Sequence, residues 1–286
     1  MEKYDYNKRK EYLKSVFDDT MHQIETDKEL QEIVEKSKGT QRVIKHDEKI
    51  NVPKISDYRK TKFLVTKSKT MEAAAKYADE EKLVAVLNFA SATTPGGGVG
   101  KGSVAQEECL CRVSTLFPCI NSEKTMDLFY NPHRQAKNPL HNDDIIYTRD
   151  VCVFKDDDYN DIEYPFCVDV ITCAAPNLRE KPTNNMNLDD GEGVKITDND
   201  LFELHKSRAR KILASAAYNE VDVVILGAFG CGVFKNPPEI VAEAYKEVIQ
   251  EFYGYFDVVE FAIYCNKGNM ENYNTFKKII ENKSLF

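Results

Sequence analysis

Apolar residues recur along the chain with two periods, and their alternation predicts the fold. Leu13, Val16, Phe17, Met21 and Ile24 fall at helical spacing. Thr26-Asp-Lys-Glu29 then fits a capping box ahead of a second helical run, Leu30, Ile33 and Val34, which stops at Gly39. Beyond residue 60, compact apolar runs predict strands over 62–66, 83–88, 151–154, 166–173, 221–226 and 258–264. Amphipathic runs between them predict helices over 70–77, 104–117 and 200–218. Another helix begins at Pro237, where Asn236 can cap a stripe from Ile240 to Phe252, and a last one carries Phe276, Ile279 and Ile280. Strands apolar on both faces and separated by helices predict an α/β fold with a covered, mostly parallel sheet. Segments 121–147 and 176–200, rich in Asn, Asp and Pro, read as long surface connections.

Composition narrows the function classes. The 286 residues are 42% hydrophobic with only 13 Gly and 10 Pro, which excludes a disordered or collagenous chain. Against 39 Lys and Arg stand 47 Asp and Glu, a net charge of -8, so general nucleic-acid binding is not expected. Residues 1–60 carry 14 basic and 13 acidic side chains, so the whole acidic excess lies beyond them. We therefore divide the chain into an N-terminal helical extension, 1–60, and an α/β domain, 61–286. No apolar run reaches the roughly 18 residues of a membrane span and the start has no signal-peptide core, so a cytoplasmic protein with no membrane partner is expected. The eight Cys sit mostly in apolar stretches without C-x-x-C spacing, and the five His are scattered. The acidic runs Asp143-Asp144, Asp156 to Asp158 and Asp189-Asp190 read as solvated charge. Neither disulfides, a metal nor a cofactor is expected.

Two loops could carry chemistry. Five glycines occupy residues 96–102, between a buried strand and a helix. Such a loop brings backbone N–H groups close to a ligand beside a positive helix end, which suits phosphate or diphosphate. It fits neither the Walker spacing nor the dinucleotide fingerprint. Gln106, Glu107 and Glu108 follow in the first helical turn, where acidic residues complement the helix dipole and a carboxylate beside a bound diphosphate can also act as general acid or base. The second loop, Gly227 to Phe234, likewise follows a buried strand, so the two could clamp one diphosphate. Within it Phe229 and Phe234 could face a sugar or base, although Phe229 suits a core equally well.

Gly96-Gly-Gly98, seven intervening residues, then Gln106-Glu-Glu108 resemble the GGG-x(6–8)-QEE signature of poly(ADP-ribose) glycohydrolases. Leu87 to Pro95, Glu108-Cys-Leu-Cys-Arg112, Ala174 to Asn177 and Gly227 to Asn236 resemble the microbial branch of that family. The resemblance implies a macrodomain-like three-layer sandwich with a mixed sheet, preceded by a helical extension, that binds ADP-ribose at the strand ends. It implies Glu108 as catalytic acid/base and Glu107 as the residue orienting the terminal ribose, with Gln106 supporting both. Gly96, Gly97, Gly98 and Val99 would line that ribose and its phosphates, with Asn88 and Ser91 as polar positions nearby. Gly230, Cys231, Gly232 and Val233 would hold the diphosphate, and Phe234 would lie beside the distal ribose. The expected partner is ADP-ribose or poly(ADP-ribose), free or on modified proteins, and the expected state is a monomer. Two alternatives stay open: a hydrolase of mono-ADP-ribosyl protein or an ADP-ribose derivative, and a non-catalytic ADP-ribose reader, against which the intact Glu pair speaks. In this reading Glu107 and the bound diphosphate keep Glu108 protonated against the helix dipole.

Overall fold

A computed structural model describes residues 3–55, 59–265 and 268–281. The chain opens with α1 (Lys3–Thr26), α2 (Lys28–Thr40), β1 (Arg42–Ile44), β2 (Lys62–Thr66), α3 (Thr70–Ala78) and β3 (Val84–Phe89). After a single 3-10 turn at Val99–Lys101 come α4 (Gln106–Val113), α5 (Leu116–Ile120) and α6 (Glu123–Thr125). A π turn at Met126–Tyr130 leads to α7 (Asn131–Ala136), β4 (Ile145–Lys155), β5 (Asp161–Cys173) and α8 (Asp198–Tyr218). The last elements are β6 (Val223–Leu226), α9 (Pro238–Glu251), β7 (Val258–Ala262) and α10 (Glu271–Ile280).

The strands form one seven-stranded sheet in the order β1-β4-β5-β3-β6-β7-β2. The run from β5 to β2 is parallel, whereas β4 joins β5, and β1 joins β4, antiparallel. Central β3 is apolar on both faces because both are covered. Ala85 and Leu87 pack with Ile212 and Leu213 of α8, Val241 and Tyr245 of α9 and Phe276 of α10. Val84 and Val86 pack on the other face with Phe17 of α1, Ala73 and Ala74 of α3 and Leu110 of α4. This is the expected three-layer α/β sandwich with a mixed, mostly parallel sheet. Among the described residues no helix is long and apolar enough to cross a membrane.

Four expectations change. The helix predicted over 104–117 breaks after Val113, because Ser114 is extended and bridges to Val153 while Thr115 N–H donates to Cys152 O. Segment 121–147 is not a polar surface connection: it folds into α6, the π turn and α7, and it buries Phe129 and Tyr130 against Ile146. Asp27, not Thr26, caps α2, its carboxylate accepting from Glu29 N–H and Leu30 N–H. Asn236 does not cap α9, since Pro237 holds that position and the Asn236 amide is turned inward to Pro176 O and Gly230 O.

Candidate active site

The loops after β3, β5 and β6 leave the carboxyl edge of adjacent parallel strands, at the point where the chain crosses from one side of β3 to the other; open α/β sheets place ligands there. Each residue of the Gln106-Glu107-Glu108 turn has a separate anchor. Gln106 Oε1 accepts from Phe89 N–H, and its Nε2 donates to Leu87 O and to Thr70 Oγ1, which ties α4 to the end of β3. Glu107 Oε2 accepts from Ser91 N–H at 2.8 Å, and Asn88 Nδ2 donates to Glu107 Oε1 at 3.4 Å. Glu108 Oε1 accepts from Gly98 N–H at 2.9 Å, while its Oε2 is buried with no partner.

Both carboxyls are almost wholly enclosed, at 3% and 5% exposure. Burial is the main reason that the Glu107 pKa is pushed up to about 8, with the Glu108 charge adding to it and the Ser91 N–H opposing. Burial also raises Glu108, against the Gly98 N–H and the nearby Arg112 charge. The expected cause, repulsion from Glu107 and a bound diphosphate, is therefore not what lifts Glu108 in the protein alone.

Glycine is required at 97. Its φ is +54°, and a Cβ there would lie 2.7 Å from Glu108 Oε1 and 3.2 Å from Glu107 Oε2. The loop backbone thus lies directly on both carboxyls. Gly96 and Gly98 flank this contact, whereas the Val99 side chain packs into the core and leaves only its backbone toward the loop. Asn88 and Ser91 serve the site by holding Glu107; the Ser91 hydroxyl is occupied by Thr93 N–H and Thr94 N–H.

The second loop divides more sharply. Phe229 is fully buried, edge-on to Phe89 and His205, so it is a packing residue and has no surface for a ligand. Asn236 fixes the Gly230 carbonyl, while Cys231 is half-buried and Val233 is exposed. Phe234 is half-buried, with the Arg179 guanidinium 5.7 Å from its ring centre and His141 at 6.2 Å. These neighbours belong to a buried network that sequence reasoning misses. Asp190 accepts from Asn177 Nδ2 at 2.6 Å and pairs with His141 Nε2 at 2.6 Å, and Asn177 Oδ1 accepts from Arg179 Nε. Asp190, expected as solvated charge, is 1% exposed, as is Asp144, which pairs with Lys45 and accepts from the His46 main-chain N–H at the β1 edge. The one signal in the sequence that points toward this network is the Ala174 to Asn177 stretch. Among the described residues no group of three or more His, Cys, Asp or Glu is placed to hold a metal.

A model of the microbial-type PARG catalytic domain matches residues 6–156. No curated protein sequence gives a significant match. Among solved structures, poly(ADP-ribose) glycohydrolase from Thermomonospora curvata is 29% identical with a TM-score of 0.82, over 94% of this chain and 99% of its own. The same enzyme bound to the inhibitor ADP-HPD gives 28% and 0.78 over the same shares. Poly(ADP-ribose) glycohydrolase from Deinococcus radiodurans, in complex with ADP-ribose, is 31% identical with a TM-score of 0.74, over 87% of this chain and 97% of its own. With its fold, its signature turn and these relatives in agreement, the chain belongs to the microbial-type PARG catalytic-domain family.

Proposed function

We propose that this chain hydrolyses the ribose–ribose O-glycosidic bonds of poly(ADP-ribose) and releases ADP-ribose, with Glu108 as general acid and base. The observation that carries the assignment is the unequal state of the two Glu108 oxygens, one held by Gly98 N–H and the other buried without a partner. An N–H donor on Oε1 leaves Oε2 as the seat of the proton, and burial raises the pKa of this carboxyl, which favours the protonated form. Oε2–H gives that proton to the departing ribose oxygen, which leaves with the bonding electron pair as an oxocarbenium-like centre forms at the anomeric carbon. Glu108, now a carboxylate, takes a proton from the attacking water and returns to its starting state.

Glu107 orients the terminal ribose from its fixed seat on Ser91 and Asn88. Two vicinal residues on one helix cannot flank the bond from opposite faces, so the two facing carboxylates of most glycosidases are not available. Gly96 to Gly98 and the Gly230–Val233 backbone supply N–H groups to the phosphates, a role suited to a protein of net charge -8. Phe234 packs beside the distal ribose, with Arg179 and His141 holding its ring. The relatives solved with ADP-ribose and ADP-HPD support ADP-ribose as the ligand. We read residues 1–60 as an N-terminal extension of the catalytic domain, helical over α1 and α2 and adding β1 to the edge of its sheet; residues 1, 2 and 56–58 lie outside the described residues.

The test pairs calorimetric ADP-ribose binding with release of ADP-ribose from the polymer, for wild type and Glu108→Gln. Binding should persist while release falls by roughly 100- to 10,000-fold. Release at the wild-type rate by Glu108→Gln would remove Glu108 from the chemistry, and a wild type that binds without release would be a reader.

A further inference from the structure

Arg112 lies on α4, one turn beyond Glu108, and is fully buried. Among the described residues it has no carboxylate within ion-pair distance; its acceptors are main-chain carbonyls from two separate parts of the chain. Nε donates to Leu13 O of α1 at 3.1 Å, and Nη2 donates to Ser103 O and, at 3.5 Å, to Val99 O. The Arg112 carbonyl in turn accepts from Thr20 Oγ1 of α1 at 2.6 Å. On the far side of the same turn, Gly102 has φ +70°, and a Cβ there would lie 2.4 Å from Lys10 O.

The 98–103 turn is thus held between α1 and α4. Glu108 and Arg112, successive on one helical face, grip opposite polarities of it: Glu108 takes the N–H of Gly98, and Arg112 takes the carbonyls of Val99 and Ser103. A buried guanidinium without a counter-ion costs more than an apolar side chain would, so a link needed only for packing has no use for one. A fork that satisfies carbonyls on both α1 and the turn is what arginine provides and lysine does not.

We propose that Arg112 is a positioning residue for the catalytic proton: it fastens the 98–103 turn to α1, so that Gly98 N–H stays on Glu108 Oε1 and the proton stays on Oε2. This deepens the proposed function and rests on Glu108 being the acid. It also gives the N-terminal helix a role in the reaction without contact with substrate.

The experiment measures kcat, KM and ADP-ribose affinity for Arg112→Lys, Gly102→Ala and Glu108→Gln, with a thermal melt for each. Arg112→Lys keeps the charge but loses the fork, and Gly102→Ala pushes the turn off α1 while leaving Arg112 in place. Each should lower kcat by about tenfold or more with KM and ADP-ribose affinity within about threefold, since a displacement near 1 Å is enough for such a loss. Wild-type kcat in either folded variant, beside an inactive Glu108→Gln, overturns the inference alone. It is overturned equally if KM and affinity worsen in step with kcat. If Arg112→Lys fails to fold, Gly102→Ala decides by the same criteria. Full activity in Glu108→Gln overturns the acid assignment and this inference with it.

Discussion

Replacing Glu107 with Gln should make the protein more stable at alkaline pH and leave it unchanged in acid. In the unfolded chain this carboxyl ionises near 4.5, and in the fold near 8. Between those values the folded state binds the extra proton, so stability is full below pH 4.5 and is lost as pH rises through about 8. At about 1.4 kcal/mol per pH unit, the loss attached to Glu107 is at most about 5 kcal/mol above pH 8. Part of it belongs jointly to Glu108, which shifts in the same direction. Gln cannot ionise, yet its oxygen can still accept from Ser91 N–H, and its amide can donate to Asn88 Oδ1, which has no partner. The assay is calorimetric unfolding of both proteins from pH 4.5 to 8.5. Taking the difference between them cancels groups that titrate alike in both, such as Asp144, whose pKa is lowered and whose stabilisation disappears in acid instead. At a few degrees per kcal/mol, the variant should gain on the order of 10 °C over wild type at pH 8.5 and nothing at pH 4.5. Parallel curves, or an advantage that grows toward acid, would refute the reasoning.

Further expectations concern the two loops. Gly97→Ala places a methyl group against both carboxyls at a positive φ. It should cost about 1–2 kcal/mol in stability and roughly 100-fold in kcat, and steady-state kinetics within twofold of wild type would contradict the contact. Phe229→Ala should destabilise by about 3–5 kcal/mol in a melt, as a core deletion does, with the KM of the surviving enzyme little changed. Phe234→Ala should do the reverse, raising KM with a small change in Tm; a large fall in Tm would make its ring structural.

The fold is legible in the sequence wherever a residue's environment follows from its near neighbours. The strand at 62–66 matches β2 residue for residue, α3 and α8 follow from apolar period, and β3 follows from its continuous apolar run. What escapes is decided by distant partners. Ser114 leaves the helix because β4 offers it a bridge about forty residues away. Phe129 and Tyr130 look like two aromatics in a polar stretch, and only the edge of the sheet gives them a place to be buried. At the site, the QEE spacing identifies the carboxyls but not what holds them. The donors at Ser91 and Gly98 are backbone N–H groups, which carry no side-chain signature. Asp190 misleads because charge usually signals solvent, yet it is buried, as Arg112 is, by satisfying polar groups from other segments.

The strand order also dictates when the molecule can form. β1 pairs only with β4, β2 only with β7, and β3 only with β5 and β6. A fragment ending after β4 would therefore contain four strands and one native pairing, and it could not cover the apolar faces of β3. During synthesis β2 waits about 200 residues for its neighbour, roughly 10–40 s at ordinary elongation rates. The future centre of the sheet, β3, has a shorter wait, about 85 residues until β5 is made, and until then it is an unpaired apolar strand, the kind of surface that chaperones hold and that aggregates form on. The Gln106–Glu108 turn, complete in sequence by residue 113, sits at the end of β3, whose two neighbours, β5 and β6, are made only later.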